Sequence, residues 1–142
     1  MNDEYKTIES PSEGIYKEKG SKFLAFAYPV YSIDEIKEIV AKINKDYYDA
    51  RHRCYAWKLG LDENNFRAND DGEPSGTAGK PIYGQLLSHE LTNILVVVVR
   101  YFGGIKLGTS GLIYAYKTAT ADAIANATII SKTVNDYYTV CF

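Results

Sequence analysis

Apolar positions along the chain recur with two different spacings, and each change of spacing marks a boundary between elements. Residues Ile15 to Tyr31 are rich in aromatic and β-branched types, with Lys19-Gly20 supplying a turn, so this stretch predicts a hairpin. Helical spacing then takes over. Ser32 and Glu35 form a capping box, and Ile33, Ile36, Val40 and Ile43 give one apolar face to a helix that Asn44 and the following aspartates end. Cys54 to Leu59 predicts a strand, Gly60 with Asp62 to Asn65 a turn, and Phe66 to Ala68 a shorter returning strand. Residues 69–81, NDDGEPSGTAGKP, are dense in glycine, proline and short polar side chains and predict a loop at least through Ser75.

From Thr77 to near Leu91 the composition suits a second helix, weakened at its start by Gly79, Pro81 and Gly84. Asn93 to Phe102 is a continuous β-branched run, the pattern of a central strand buried on both faces. After a glycine-rich turn, Leu112, Ala115, Tyr116, Ala119, Ala123 and Ile124 recur at helical spacing within Ser110 to Ala127, and the alanines permit close packing on a sheet. β character returns from Ile129. The closing YYTVCF reads as another short strand or as the severed beginning of a further unit.

A chain of 142 residues with 46% hydrophobic side chains fills one core and leaves no comfortable room for a second complete domain. The net charge of -2 argues against a protein that coats nucleic acid through bulk charge. Distribution changes that picture. Between Pro74 and Lys117 the charged residues are Lys80, Arg100, Lys106 and Lys117 against Glu90 alone, while the first fifty residues lean acidic. Cys54 and Cys141 have no spacing that suggests a disulfide framework or a zinc site, which favours a reduced, cytoplasmic setting. The polar, acidic start MNDEYKTIES reads as neither a secretory signal nor an anchor, and the apolar run Ile94 to Val99 is too short to span a bilayer. No membrane partner is expected.

Three polar clusters interrupt this pattern at the ends of elements: RHRCYAW from Arg51, NDDGEPSGTAGKP from Asn69, and RYFGGIKLGTSGL from Arg100. In the third, Gly108, Thr109 and Ser110 precede a helix whose first N–H groups are free for an anion, and Arg100 and Lys106 can add cationic contacts. The competing reading is that Thr109 or Ser110 caps the helix while Gly103 and Gly104 make a tight turn. Neither this turn nor GEPSGTAGKP is a Walker loop, since Lys80 is followed by Pro81 rather than a hydroxyl residue. Arg51, His52 and Arg53 stand before a strand carrying Tyr55 and Trp57. That arrangement suits phosphate contact with base stacking, although alternate aromatics in a strand are more often core.

A Cys54 nucleophile served by His52 lacks an identifiable orienting third group, and His52 between two arginines fits an anion better. Asp70, Asp71 and Glu73 can be drawn as a magnesium site, but acids clustered in a glycine-proline loop read as solvated turn formers. No catalytic residue, metal or cofactor is therefore assigned.

Taken together, HRCYAW, NDDGEPSGTAGKP and VVRYFGGIKLGTSGLIYAY resemble, in order and spacing, the amino-terminal domain of the IMPACT family, which includes bacterial YigZ-like proteins. The resemblance covers about Gly14 to Ala127. It implies an α+β two-layer sandwich similar to the ribosomal protein S5 domain 2-like fold, a mixed sheet with helices on one face. Residues 1–130 would form that domain, and 131–142 a terminal strand or the start of a missing carboxy-terminal ferredoxin-like domain. Tyr114 stands where a basic residue is expected in many relatives.

Eukaryotic relatives are associated with translational control and act through protein partners. The resemblance thus implies a non-enzymatic, translation-linked regulatory module that contacts RNA, the ribosome or a translation factor. The residues expected to make that contact are Arg51, His52, Arg53, Lys80, Arg100, Gly103, Gly104, Lys106, Gly108, Thr109 and Ser110. Two alternatives stand beside it. KLGTSGL is similar to the phosphate-binding loop of GHMP kinases, which would make the chain a nucleotide- or phosphorylated-small-molecule-binding protein, and a protein-only adaptor for a translation factor needs no anion site at all.

Overall fold

The structure, a computed structural model, describes residues 4–133. Seven strands and three helices follow one another as β1 (Glu4–Ile8), β2 (Ser12–Glu18), β3 (Ser21–Pro29), α1 (Ile33–Asp46), β4 (His52–Lys58), β5 (Phe66–Asn69), α2 (Gly79–Ser88), β6 (Ile94–Tyr101), α3 (Gly108–Ala125) and β7 (Ile129–Thr133). Five strands form one sheet in the order β2-β3-β6-β4-β5, and β1 pairs with β7 in a separate ribbon.

The expected hairpin is β2–β3, and Lys19 and Gly20 at its turn both have positive φ, 48° and 82°, the twist-matched geometry of a two-residue hairpin loop. The capping box also forms. Ser32 Oγ accepts from Glu35 N–H at 3.2 Å, while the Glu35 carboxylate reaches back one residue further than the motif requires and accepts from Tyr31 N–H at 2.9 Å. β6 is the central strand, flanked by β3 and β4, as its unbroken β-branched run predicts.

The α+β class is the one expected, and two of its details differ. Every pairing in the five-stranded sheet is antiparallel, and the one parallel contact among the described residues is an isolated bridge between Lys6 and Leu91. Nor do the helices share one face. Val96 and Val98 of β6 pack with Ile82 and Leu86 of α2 and Leu112 and Tyr116 of α3, whereas Leu95, Val97 and Val99 pack under Ile36 and Ile43 of α1. A strand that is apolar on both sides needs a cover on both sides. Full burial of each such Val or Leu contributes roughly 1.5–3 kcal/mol, which no one-sided arrangement supplies.

The β1–β7 ribbon joins the two ends of the described chain. Glu4 to Ile8 alternates charged with apolar residues too briefly to announce a strand, yet Thr7 and Ile8 are buried, and Thr7 Oγ1 donates to Asn93 O at 3.0 Å. Residues 134–142, where YYTVCF was expected to form a strand or begin another unit, lie outside the described residues. Among the described residues, no helix is long and apolar enough to cross a membrane.

Candidate functional site

The polar start of β4 and the polar end of β6 meet at one end of the sheet's inner strands. His52 lies directly opposite Arg100 across the β4–β6 ladder, and Arg100 lies opposite Phe23 on its other side. Alternation along β6 then places Arg100 on the same side as Val98 and Val96, facing α3. The loop from Asn69 folds over this row. A cleft of about 360 Å³ results, lined by Arg51 and His52 from the first polar cluster, Gly72, Glu73 and Pro74 from the second, and Arg100, Phe102, Lys106, Leu107, Gly108, Thr109 and Leu112 from the third. All three clusters converge.

Glu73 organises its floor. Its side chain is 2% exposed, and both carboxylate oxygens accept from Arg100 Nη1, at 2.9 and 2.8 Å. Tyr116 of α3 donates its hydroxyl to Oε2 at 2.5 Å, and His52 Nε2 stands 3.5 Å from Oε1. The other nitrogen of His52, Nδ1, is 2.6 Å from the Asp71 carbonyl oxygen. That oxygen can only accept, so Nδ1 carries a proton and the ring orientation is fixed. A carboxylate taken from water is tolerable only with this many donors.

The expectation that these acids are solvated turn formers holds for Asp71, exposed in the turn with φ of 43°, and is corrected for Asp70 and Glu73. Asp70 accepts from the N–H groups of Gly76, Ala78 and Gly79 at 3.0, 3.2 and 2.8 Å, so it holds the start of α2, which has no side-chain cap of its own. Glu73 is buried. Both carboxylates are committed to protein donors, and among the described residues no group of three His, Cys, Asp or Glu is placed to hold a metal ion. What hid this from the sequence is distance: Glu73 finds its partners 27 and 43 positions away.

The predicted residues divide accordingly. Arg51, His52, Arg100, Lys106, Gly108 and Thr109 line the cleft, whereas Arg53, Lys80, Gly103, Gly104 and Ser110 do not. Arg53 is one position out of phase with His52 and points to the α1 side, where Nη1 donates to the carbonyls of Tyr47 and Tyr48 at 3.0 and 3.1 Å and so closes the end of α1. Lys80 is exposed on the first turn of α2. Gly103 has a packing duty instead: a Cβ there would stand 2.1 Å from the Gly20 carbonyl carbon, so only glycine lets the β6–α3 loop touch the β2–β3 turn. Arg100 lines the cleft, but its charge is already matched by Glu73.

Two cations remain uncommitted. Among the described residues neither Arg51 nor Lys106 pairs with a carboxylate, and the Arg51 guanidinium lies 4.7 Å from the Phe102 ring centroid. They flank the start of α3, which begins at Gly108 with φ of 76° and has no side-chain cap. Thr109 and Ser110 lie inside the first turn and neither caps it, so no side chain satisfies the leading N–H groups beside the cleft. The nucleophile reading of Cys54 also fails. Its thiol is fully buried, with Sγ 3.0 Å from Asp70 O and 3.4 Å from Tyr116 Oη, and burial pushes it well above the usual thiol range. Burial likewise pushes the Tyr116 hydroxyl up, reinforced by Cys54 and Glu73, so it stays a donor.

Residues 19–124, which include every residue of the cleft, match the Impact N-terminal domain. The chain belongs to the IMPACT family. It is 37% identical over 128 residues to the IMPACT family member YvyE of Bacillus subtilis, a match that covers 90% of this chain and 59% of that protein. It is 40% identical over 124 residues to the IMPACT family member YigZ of Escherichia coli, covering 86% of this chain and 61% of that protein. A solved structure described as that of a hypothetical protein superposes with a TM-score of 0.88 at 36% identity, over 94% of this chain and 65% of that one. The chain thus spans about three fifths of the length of these two curated relatives. Tyr114, the departure from the expected basic residue in this IMPACT domain, is exposed outside the cleft and packs edge-on against Tyr16, with centroids 5.7 Å apart.

Proposed function

We propose that this IMPACT domain is a non-catalytic, translation-linked module that contacts RNA through its phosphates, using the cleft at the amino terminus of α3. The observation that carries the reading is the convergence of Arg51 and Lys106, both without carboxylate partners, on an uncapped helix start. Two cations without carboxylate partners beside an uncapped helix start form an anion-binding geometry in a chain whose net charge of -2 would otherwise repel nucleic acid. Family membership supports the translational setting through the role associated with its eukaryotic members.

Catalysis finds little support in the cleft. Cys54 is sealed in the core, and the Glu73 carboxylate is occupied by Arg100 and Tyr116. A second reading, a phosphorylated small molecule or nucleotide in the same cleft, is favoured by its volume of about 360 Å³, which falls within the range of small-ligand sites.

Titration of RNA binding against salt tests the leading reading. Affinity is expected to fall steeply with ionic strength, and Arg51→Gln or Lys106→Gln is expected to lower the salt slope by roughly one unit each. Absence of RNA binding by the intact chain at low salt would remove RNA from the proposal. A thermal shift with ATP, GTP and sugar phosphates addresses the second reading, because a ligand at a hundred times its Kd stabilises by about 2.7 kcal/mol.

A further inference from the structure

We infer that the cleft selects a terminal phosphate monoester over an internal phosphodiester, an inference that rests on the anion-binding reading above. Charge is the first argument. Of the charged groups lining the cleft, Arg100 and Glu73 cancel each other, which leaves Arg51 and Lys106 as two unmatched positive charges. A phosphate monoester carries about -1.5 to -2 at neutral pH, whereas each backbone diester carries about one negative charge. The uncapped start of α3 adds a further partial positive charge, so the dianion is the better match.

The wall behind these groups supplies an independent observation. Arg100 is 8% exposed at its side chain, lines the cleft, and has a buried Nε with no hydrogen-bond partner. A buried donor without an acceptor is costly, and it marks a place where the protein offers more donors than it can itself satisfy.

A passing strand finds much less. Arg53 faces the opposite side of the sheet and Lys80 lies outside the cleft, so neither carries the positive charge of Arg51 and Lys106 on to a second phosphate. The lining holds two rings, Phe102, with the Arg51 guanidinium already 4.7 Å from its centroid, and the His52 imidazole, whose nitrogens are taken up by the Asp71 carbonyl and the Glu73 carboxylate, so neither is a free platform for consecutive bases. The geometry suits an end rather than a track. Both the 5′ end of an RNA and a free nucleoside monophosphate present this group.

Fluorescence anisotropy with the whole chain distinguishes these sources. The probes are one short 3′-labelled oligoribonucleotide with either a 5′ phosphate or a 5′ hydroxyl, with AMP and inorganic phosphate as competitors. The phosphorylated strand is expected to bind at least about tenfold more tightly. That advantage should vanish in an Arg51→Gln, Lys106→Gln double variant of unchanged unfolding midpoint, since both side chains are exposed. Equal affinity for the two strands overturns the inference and leaves the RNA reading standing. AMP binding without binding of either strand supports the inference and removes the RNA reading. If no probe binds, both are overturned.

Discussion

The two faces of β6 carry the same kind of residue and meet different fates. On the α1 side, Leu95, Val97 and Val99 close a dry cluster with Ile36, Ile43 and Trp57. On the other side, Val96 and Val98 lead to Arg100, where the core gives way to a buried ion pair and then to the cleft. Within one strand, a shift of a single residue separates packing from polar chemistry. The lesson is that buried charge was placed where apolar burial runs out at the sheet's end, with α3 supplying Tyr116 as an extra donor. On the α1 side Arg53 at the equivalent end needs no buried carboxylate, because its Nη1 donates to the carbonyls at the close of α1, although its buried Nε, like that of Arg100, has no hydrogen-bond partner.

Removing one member of the ion pair is the strongest way to probe this contrast. Glu73→Ala leaves Arg100 charged and buried, and is expected to cost about 3–5 kcal/mol in urea denaturation. The double change Glu73→Leu with Arg100→Met should restore most of that loss, since an apolar pair of similar size needs no donors. If the single variant costs no more than a surface substitution, the two faces do not differ as described. On the α1 side, Leu95→Ala should cost about 2–5 kcal/mol through cavity formation, and no second substitution on a polar partner should rescue it.

Smaller effects sharpen the picture. Tyr116→Phe removes a donor from Glu73 and should cost about 1–3 kcal/mol. Ser32→Ala tests the α1 side through its cap, with an expected loss of about 1 kcal/mol by thermal unfolding. Least in magnitude is a pH effect on the cleft side. Because burial raises the Cys54 thiol above its ordinary value of 9.0, the folded protein keeps a proton that the unfolded chain releases, so this contribution to stability is complete below that pH and falls as pH rises beyond it. Alkylation followed by peptide mapping should accordingly find Cys54 unmodified until the chain unfolds.

Much of the fold was legible because periodicity reports burial. The β-branched run announced β6, the capping box announced α1, and Lys19-Gly20 announced the hairpin turn. Burial of β6 on both faces already conflicted with helices confined to one face, and here the residue pattern was the better guide than the resemblance. The candidate site was legible only in outline. The three clusters stood out at element ends, but their convergence and the individual roles did not follow from the sequence. Arg53 was grouped with its neighbours by adjacency, although alternation in a strand sends it to the other face. Glu73 was hidden because a carboxylate in a glycine-rich loop looks solvated until its long-range partners are known. The β1 strand escaped notice because its pairing partner, β7, lies at the far end of the chain.

The contact between Gly103 and Gly20 has a kinetic side. Residues 83 positions apart must bring their backbones together before the loop that carries Lys106 acquires its final path, and ring closures of this span are slow compared with local helix formation. Ligand competence should therefore emerge late during refolding, after the sheet is complete, so a phosphate probe added during a stopped-flow experiment would time the last docking event rather than the collapse.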